Sequence, residues 1–263
     1  MRFSEHVKKA SLVGAFFISV LLGLPAQALC PLSGPLTRVK VAKVIDGDTL
    51  RLADGRSVRL IGLNAPELGR KERRAEPFAD AARLKLEALV NANDWQVGLR
   101  EGRQAKDHYG RILAHTFDDA GRNLEALLLF EGLAFYVAIS PNTQLVSCHR
   151  SVEQEARVAA RGLWRQSPIV PAKKLNSGGF AIISGRVERV ESNRGGIWLE
   201  LGGSAVLQVP QDAVAGFGSL DDLAGKSVEA RGWVIDRKGR ADLSRHSRWL
   251  MKVSHPSMLT VLP

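Results

Sequence analysis

The fold of this chain is decided by the stretch Val44-Ile45-Asp46-Gly47-Asp48-Thr49, which is followed after a short strand by Val58-Arg59-Leu60-Ile61-Gly62-Leu63-Asn64-Ala65-Pro66-Glu67. It places oxygen ligands, an arginine and a glutamate within about 20 residues, a span that two paired strands can fold into one cleft. A protein needs these parts to hold a hard divalent cation against a phosphate and to hydrolyse it. A later fragment, Asp107-His108-Tyr109-Gly110-Arg111, supplies a second arginine.

Each of these side chains has an ordinary interpretation beside the chemical one. Asp48 belongs either to a plain Asp-Gly turn or to a hard-cation site in which Asp46 supports it. Arg59 lies in an apolar strand, where it either faces solvent by alternation or points inward to a partner. Glu67 either opens a surface loop or takes a proton from a water that attacks a phosphate. Arg59 and Arg111 together would stabilise the charge that grows on that phosphate.

The composition favours a globular protein with a polyanionic partner. The chain has 263 residues, enough for one large or two modest domains, and its apolar fraction of 45% is ordinary. The net charge is +10. An excess of this size points to nucleic acid first, and to anionic lipid or cell-wall polymer second.

Residues 1–28 are typical of a signal peptide. A short basic region precedes an apolar run over residues 10–24, and Ala26-Gln27-Ala28 gives the small-x-small pattern of a cleavage site. We predict cleavage after Ala28 and a periplasmic or secreted protein that keeps no stable membrane anchor. The alternative is an uncleaved anchor, for which the apolar run is short.

Export also bears on Cys30 and Cys148, the two cysteines of the chain. An oxidising compartment permits a disulfide between them, which would tie the extension at residues 29–37 to the stretch before a predicted helix. Two free, buried thiols are the alternative.

Residues 38–166 have the pattern of one domain. Its predicted strands cover Val39–Ile45, Thr49–Leu52, Ser57–Leu63, Trp95–Arg100 and Ile112–Phe117, and its predicted helices cover Glu76–Val90, Asn123–Glu131 and Ser151–Gly162. Prolines and paired glycines interrupt residues 167–179, which we interpret as a linker.

Residues 180–263 are rich in short strands and glycines, as in a small β-barrel of the oligonucleotide-binding (OB) type. The predicted strands cover Ala181–Val190, Gly196–Leu201, Ala205–Val209, Ser227–Asp236 and Trp249–Val253, with a short helix at Ser219–Leu223. Trp198, Trp233 and several arginines would suit a groove for a single nucleic-acid strand. Equally, the tryptophans would be barrel core and the arginines a solvated rim.

Taken in order, the motifs of residues 38–166 resemble those of the staphylococcal nuclease (thermonuclease) family. The matching elements are Ile45-Asp46-Gly47-Asp48-Thr49, Arg59-Leu60-Ile61-Gly62-Leu63, Pro66-Glu67, Tyr109-Gly110-Arg111, Asn123-Leu124-Glu125-Ala126-Leu127 with Glu131-Gly132-Leu133-Ala134, and Gly162-Leu163-Trp164. The resemblance implies a mainly β fold with α: a five-stranded OB-fold barrel with three helices, here followed by a second OB-like barrel. It also implies a calcium-dependent phosphodiester hydrolase that acts on DNA or RNA.

The resemblance assigns catalytic and metal-binding roles residue by residue. Asp48 corresponds to an aspartate that ligates calcium, and Ala65 to a position that gives the metal its backbone carbonyl. Glu67 corresponds to the general base. Arg59 and Arg111 correspond to the arginines that bind the phosphate and its transition state.

Three further positions concern the nucleotide and the metal. Tyr109 corresponds to a tyrosine near the nucleotide's phosphate. Tyr136 would stand in for a tyrosine that stacks on the base, although the spacing differs by about one residue. Asn64 departs from the family, which usually has a second calcium-ligating aspartate there. Its amide oxygen can coordinate, but the lost charge weakens calcium binding or favours another ion.

The sequence therefore predicts an exported, metal-dependent nuclease, and the resemblance implies that it leaves 3′-phosphate ends. The alternative is a non-catalytic nucleic-acid-binding protein of the bacterial envelope, for which Asn64 is the best support. A basic envelope protein that binds anionic polymers is a further alternative.

Overall fold

A computed structural model describes residues 29–69, 74–202, 205–238 and 247–263. The predicted signal peptide, residues 1–28, lies outside the described residues. The described chain forms two closed β-barrels, the first with three α-helices.

The first barrel closes in the order β1-β2-β3-β6-β5, with β3 and β6 parallel. Its strands and the nearby pair β4 and β7 are β1 (Thr37–Asp46), β2 (Thr49–Leu52), β3 (Ser57–Leu60), β4 (Leu63–Asn64), β5 (Gln96–Lys106), β6 (Ile112–Phe117) and β7 (Phe135–Tyr136). Along β3, Val58 and Leu60 are fully buried and Arg59 between them is not. Alternation therefore turns Arg59 away from the barrel core.

The three helices of the first barrel are α1 (Ala79–Asn91), α2 (Leu124–Phe130) and α3 (Val146–Val158). Helix α1 begins later than predicted because Phe78, directly before it, has a φ of 67°, outside the helical range. Asn123 caps α2 by accepting a hydrogen bond from the Ala126 amide.

Helix α3 begins at Val146, five residues before the predicted start at Ser151. Its buried face includes His149 and Glu153 beside Val146, Val152 and Ala156. Two polar residues on the buried face hide the apolar period that helix prediction depends on.

The second barrel repeats the strand order of the first. Its strands and flanking strands are β8 (Ile169–Pro171), β9 (Gly179–Asn193), β10 (Gly196–Leu201), β11 (Ala205–Pro210), β12 (Ser227–Asp236), β13 (Trp249–Lys252) and β14 (Leu259–Val261). The ring runs β9-β10-β11-β13-β12 and closes through the pairing of β12 with β9. As in the first barrel, the third and fourth strands in the order of the ring, here β11 and β13, are parallel.

The segment 167–179, interpreted from sequence as a linker, contains β8 and a 3-10 turn at Ala172–Lys174. Strand β8 pairs in parallel with β9, so this segment is part of the second sheet. The short helix expected at Ser219–Leu223 is a 3-10 turn at Asp221–Leu223.

A disulfide joins Cys30 to Cys148 on α3, with an S–S distance of 1.98 Å. It attaches the segment before β1 to the helix face of the first barrel. Within the described ranges, none of the helices has both the length and the apolar character that a bilayer crossing requires.

Candidate active site

One cleft of about 760 Å³ gathers most of the side chains singled out in the sequence, Ala65 and Tyr136 being outside its lining. Its lining includes Asp46, Asp48, Arg59, Asn64, Glu67, Tyr109 and Arg111 from the first barrel and Trp233 from the second. Strand pairing brings them together, because the β1–β2 turn lies beside β3, with Thr49 directly opposite Arg59. The volume is of the size found for small-ligand sites.

Asp48 is the centre of the polar wall of the cleft. Its Oδ2 lies 2.9 Å from Nη2 of Arg59 and accepts a hydrogen bond of 3.0 Å from the Ala65 amide. Its Oδ1 accepts a hydrogen bond of 3.1 Å from the Thr49 hydroxyl. The Asp48 amide donates to Oδ1 of Asp46, so the two aspartates form one turn.

Burial raises the pKa of the Asp48 carboxyl to about 6. The Arg59 guanidinium opposes this rise, and the Asp46 carboxylate adds to it through charge repulsion. A buried carboxylate held between one cation and one anion has lost much of its hydration. A second cation would therefore strongly stabilise its ionised form.

Ala65, whose amide donates to Asp48, and the preceding Asn64 add a backbone carbonyl and an amide oxygen as candidate ligands. Oδ1 of Asn64 lies 3.5 Å from Nη2 of Arg59, and Asn64 and Ala65 are buried. The described residues contain no cluster of three or more His, Cys, Asp or Glu side chains suited to a metal. One carboxylate, one amide oxygen and one backbone carbonyl would nevertheless make an all-oxygen donor set of low charge, whose chemistry fits a hard cation such as calcium.

Glu67 lies at the exposed mouth of the cleft. Its backbone is fixed twice to Glu76: the Glu67 amide donates to the Glu76 carboxylate at 3.0 Å, and the Glu67 carbonyl accepts from the Glu76 amide at 2.9 Å. The preceding Pro66 also restricts the backbone. The carboxylate is therefore held at the cleft by a rigid main chain while it remains accessible to water.

Arg111 reaches the cleft from the turn between β5 and β6. Its Nε donates to Oδ2 of Asp107 at 2.7 Å, and the Asp107 carboxylate also accepts from the amides of Tyr109 and Arg111. These hydrogen bonds and the Arg111 guanidinium lower the pKa of Asp107. Asp107 was not among the predicted site residues. Its position four residues before Arg111 is nevertheless a sequence pattern from which this ion pair could have been predicted.

The Tyr109 ring is 74% exposed, and the Arg111 guanidinium lies 5.5 Å from its centre. Tyr109 and Arg111 thus form an exposed pair on one wall of the cleft. A phosphate at this wall would meet both a cation and a phenol hydroxyl.

Tyr136 does not occupy the place that the sequence suggested. Its side chain is buried, its hydroxyl donates to the Ser257 carbonyl of the second barrel, and the Arg231 guanidinium lies 4.1 Å from its ring centre. A ring covered in this way has no face for a base, so the expectation that Tyr136 stacks on the nucleotide is wrong. The loop after β7 offers Val137 and Ile139 to the cleft instead.

Residues 57–166 match the family model for the staphylococcal nuclease homologue. The chain is 31% identical over 145 residues to "Endonuclease YncB" of Bacillus subtilis (strain 168), an alignment that covers 54% of this chain and 68% of that protein. The chain belongs to the staphylococcal nuclease family. It is also 33% identical over 131 residues to the "Thermonuclease" of Staphylococcus intermedius, covering 48% of this chain and 75% of that protein.

Membership of the staphylococcal nuclease family makes the first barrel a nuclease domain that hydrolyses phosphodiester bonds. The family match contains Arg59, Asn64, Glu67 and Arg111. Asp48 precedes it and is brought to the same cleft by the pairing of β2 with β3.

A buried polar group behind the cleft was also missed by the sequence analysis. Nε2 of His149 lies 2.8 Å from Oδ1 of Asn123, whose amide group donates to Glu125. The His115 ring packs edge-on against His149, with centres 5.5 Å apart. Burial lowers the pKa of His149 to about 3 and of His115 to about 4, and raises the pKa of Glu125 to about 8.

Proposed function

We propose that this chain is an exported, calcium-dependent nuclease that cleaves DNA or RNA and leaves 3′-phosphate ends. The observation that carries the proposal is the convergence of Asp48, Arg59, Glu67 and Arg111 on one cleft. Two guanidiniums, an oxygen donor set and an accessible carboxylate are the components of metal-assisted phosphodiester hydrolysis.

Asp48, Asn64 and the Ala65 carbonyl would hold the calcium ion, which when bound supplies positive charge that polarises the scissile phosphate. Glu67 takes a proton from the attacking water, whose oxygen forms a bond to phosphorus in line with the leaving group. The P–O5′ bond breaks, and the 5′ oxygen is protonated from solvent. The strand therefore ends in a 3′-phosphate on one side and a 5′-hydroxyl on the other.

Arg59 and Arg111 stabilise the negative charge that develops on the non-bridging oxygens. Arg59 is oriented by Asp48 at 2.9 Å and by the Leu63 carbonyl at 3.2 Å. Arg111 is oriented by Asp107. Both guanidiniums are thus set in place before substrate binds, which lowers the cost of reorganisation in the transition state.

Digestion of circular plasmid by the full chain, with calcium and then with a chelator, tests the proposal. The Glu67→Gln variant should lose about 10²–10⁴ in rate, the usual contribution of a general base. Glu188→Gln, which changes an exposed carboxylate on the second barrel, is the matched control and should cut like the parent. Cleavage by Glu67→Gln at the parent's rate would overturn the assigned role.

Two further measurements examine the product and the location. The 5′-hydroxyl ends should accept phosphate from a polynucleotide kinase without prior dephosphorylation, and the 3′-phosphates should block extension by a polymerase. If the protein is exported, the mature chain recovered from the periplasm or medium should begin at Leu29.

Asn64 gives specific support to a second function, nucleic-acid binding without cleavage. It replaces one negative charge in the donor set, and calcium affinity follows the charge of the ligands. If the plasmid stays intact with calcium but shifts on a gel, this second function is correct. Asn64→Asp should then raise calcium affinity, measured by calorimetry.

A further inference from the structure

Trp233 is a large apolar side chain that the second barrel exposes to the cleft of the first. It lines the same cavity as Asp48, Arg59 and Arg111, and 40% of its surface is exposed. Tryptophan is usually mostly buried, because its ring gains much from leaving water. An exposed tryptophan ring in a substrate cleft therefore indicates that a bound ligand covers it.

Strand alternation explains how Trp233 reaches the cleft. Glu229, Arg231 and Trp233 lie on the same face of β12, because side chains two residues apart point the same way. Glu229 accepts two hydrogen bonds from Arg157 on α3, at 3.0 and 2.9 Å. Arg231 donates two to the carboxylate of Glu153 on α3, at 2.9 and 2.7 Å. The two ion pairs dock β12 on the first barrel, and Trp233 is the next side chain along that face.

Aromatic contacts hold the Trp233 ring from behind. Phe180 lies directly opposite it in the β9–β12 pairing, with ring centres 5.3 Å apart and nearly perpendicular planes. Phe180 stacks on Phe135 of the first barrel at 5.6 Å, and Phe135 contacts Trp164 at 5.5 Å. The four rings cross the boundary between the barrels, so Trp233 is a supported platform rather than a free side chain.

The other side chains of the cleft are less suited to receive a base. Tyr136 is covered by Arg231, while Val137 and Ile139 from the same loop are aliphatic. Tyr109, the other exposed aromatic residue discussed above, has the Arg111 guanidinium over its ring at 5.5 Å. A nucleotide whose phosphate lies at Arg59 and Arg111 needs a flat apolar surface for its base, since bases stack on aromatic rings.

We propose that Trp233 stacks on the base next to the scissile phosphate, so that the second barrel completes the substrate site of the first. The occupant is an unpaired base of single-stranded DNA or RNA. A base within a duplex is already paired and stacked, and its removal from the stack costs a few kcal/mol. The cleft therefore favours single strands over duplexes. This inference rests on the proposed nuclease function.

The kinetic test uses the full chain and a single-stranded oligonucleotide with calcium. Trp233→Ala should raise KM by about 5- to 150-fold and change kcat by less than about twofold, since stacking contributes about 1–3 kcal/mol per base to binding. The ratio of kcat/KM for the single strand to kcat/KM for a duplex of the same sequence should fall by a similar factor. Trp233→Phe keeps an aromatic ring against Phe180 and should recover most of the loss.

Trp198→Ala is the matched control. Trp198 lies on β10 of the second barrel, where its indole donates to the Asn193 side chain at 3.0 Å, and it is not part of the cleft lining. This variant should keep the parent's KM and strand preference. An equal rise of KM in Trp198→Ala and Trp233→Ala would overturn the proposal.

A binding test does not depend on turnover. In the slow Glu67→Gln background, a short oligothymidylate with calcium should quench the intrinsic tryptophan fluorescence, because a stacked base contacts the Trp233 ring. The same titration of Glu67→Gln/Trp233→Phe should lose most of this quenching.

The two tests separate this inference from the proposed function. If the parent cuts but the KM of Trp233→Ala stays within about twofold of the parent's, stacking is refuted and hydrolysis stands. If the parent does not cut but Trp233-dependent quenching persists, hydrolysis is refuted and stacking stands. Equal quenching with and without Trp233 also overturns the inference.

Discussion

The buried histidine behind the cleft makes a quantitative prediction about acid stability. His149 is fully buried on α3, and its Nε2 lies 2.8 Å from Oδ1 of Asn123. Because Oδ1 is an acceptor, the neutral ring donates from Nε2. Burial, with a smaller contribution from His115, lowers the pKa of His149 from 6.5 to about 3.

The sign of the effect follows from where the proton binds. The unfolded chain takes up a proton on His149 as the pH falls through 6.5, whereas the folded chain stays neutral down to about 3. Protonation therefore favours the unfolded state throughout this window, and stability is lost as the pH falls. Between about pH 7.5 and 5 the loss from this one residue is about 2 kcal/mol, and its limit at lower pH is about 5 kcal/mol.

Two neighbours also titrate, so the parent's pH profile by itself does not isolate His149. The lowered pKa of His115, about 4, acts in the same direction. The raised pKa of Glu125, about 8, acts in the opposite direction, since its contribution is present at low pH and lost as the pH rises from 4.5 towards 8.

The variant His149→Gln separates the contributions, because glutamine does not titrate. Urea unfolding of both proteins, with the disulfide intact, gives the difference in unfolding free energy at each pH. The parent's advantage should shrink by about 2 kcal/mol between about pH 7.5 and 5, where His115 stays neutral in the folded state. The exposed His108→Gln is the control and should leave the profile unchanged. A difference that is constant within about 0.5 kcal/mol would refute a buried neutral His149.

Two further substitutions test the packing around the cleft. Arg231→Met leaves the Glu153 carboxylate buried without its ion-pair partner, so urea unfolding should show a loss of about 3–5 kcal/mol, most of it recovered in Arg231→Met/Glu153→Gln. No recovery in the double variant would contradict the pairing. Gly62→Ala adds a Cβ 2.4 Å from Nδ1 of His149 at a φ of 89°, so thermal unfolding should reveal a loss of about 2–4 kcal/mol; a Tm equal to the parent's would contradict the close approach.

The strands that carry the site could be predicted from local sequence patterns. Val58 and Leu60 alternate with Arg59, and the strands Thr49–Leu52 and Ile112–Phe117 were predicted with the bounds that the structure has. Alternation and turn residues are local signals, since they depend on the direction of successive side chains. The ordered motifs also identified the family, which the match over residues 57–166 confirms.

Local signals were weaker where elements are very short or where a buried face is polar. Strands β7, β8 and β14 have two or three residues each and went unpredicted, because so few residues show no period. The start of α3 was misplaced because His149 and Glu153 lie on its buried face. Their partners, Asn123 and Arg231, are distant in sequence.

Which aromatic residue faces the cleft depends on contacts between the two barrels. Tyr136 has the more suitable position in the sequence, but Arg231, 95 residues away, covers its ring. Trp233 belongs to another barrel, yet the pairing of Arg231 with Glu153 brings it to the cleft. The docking of two barrels depends on a few contacts between distant residues, and no periodicity within either barrel specifies those contacts.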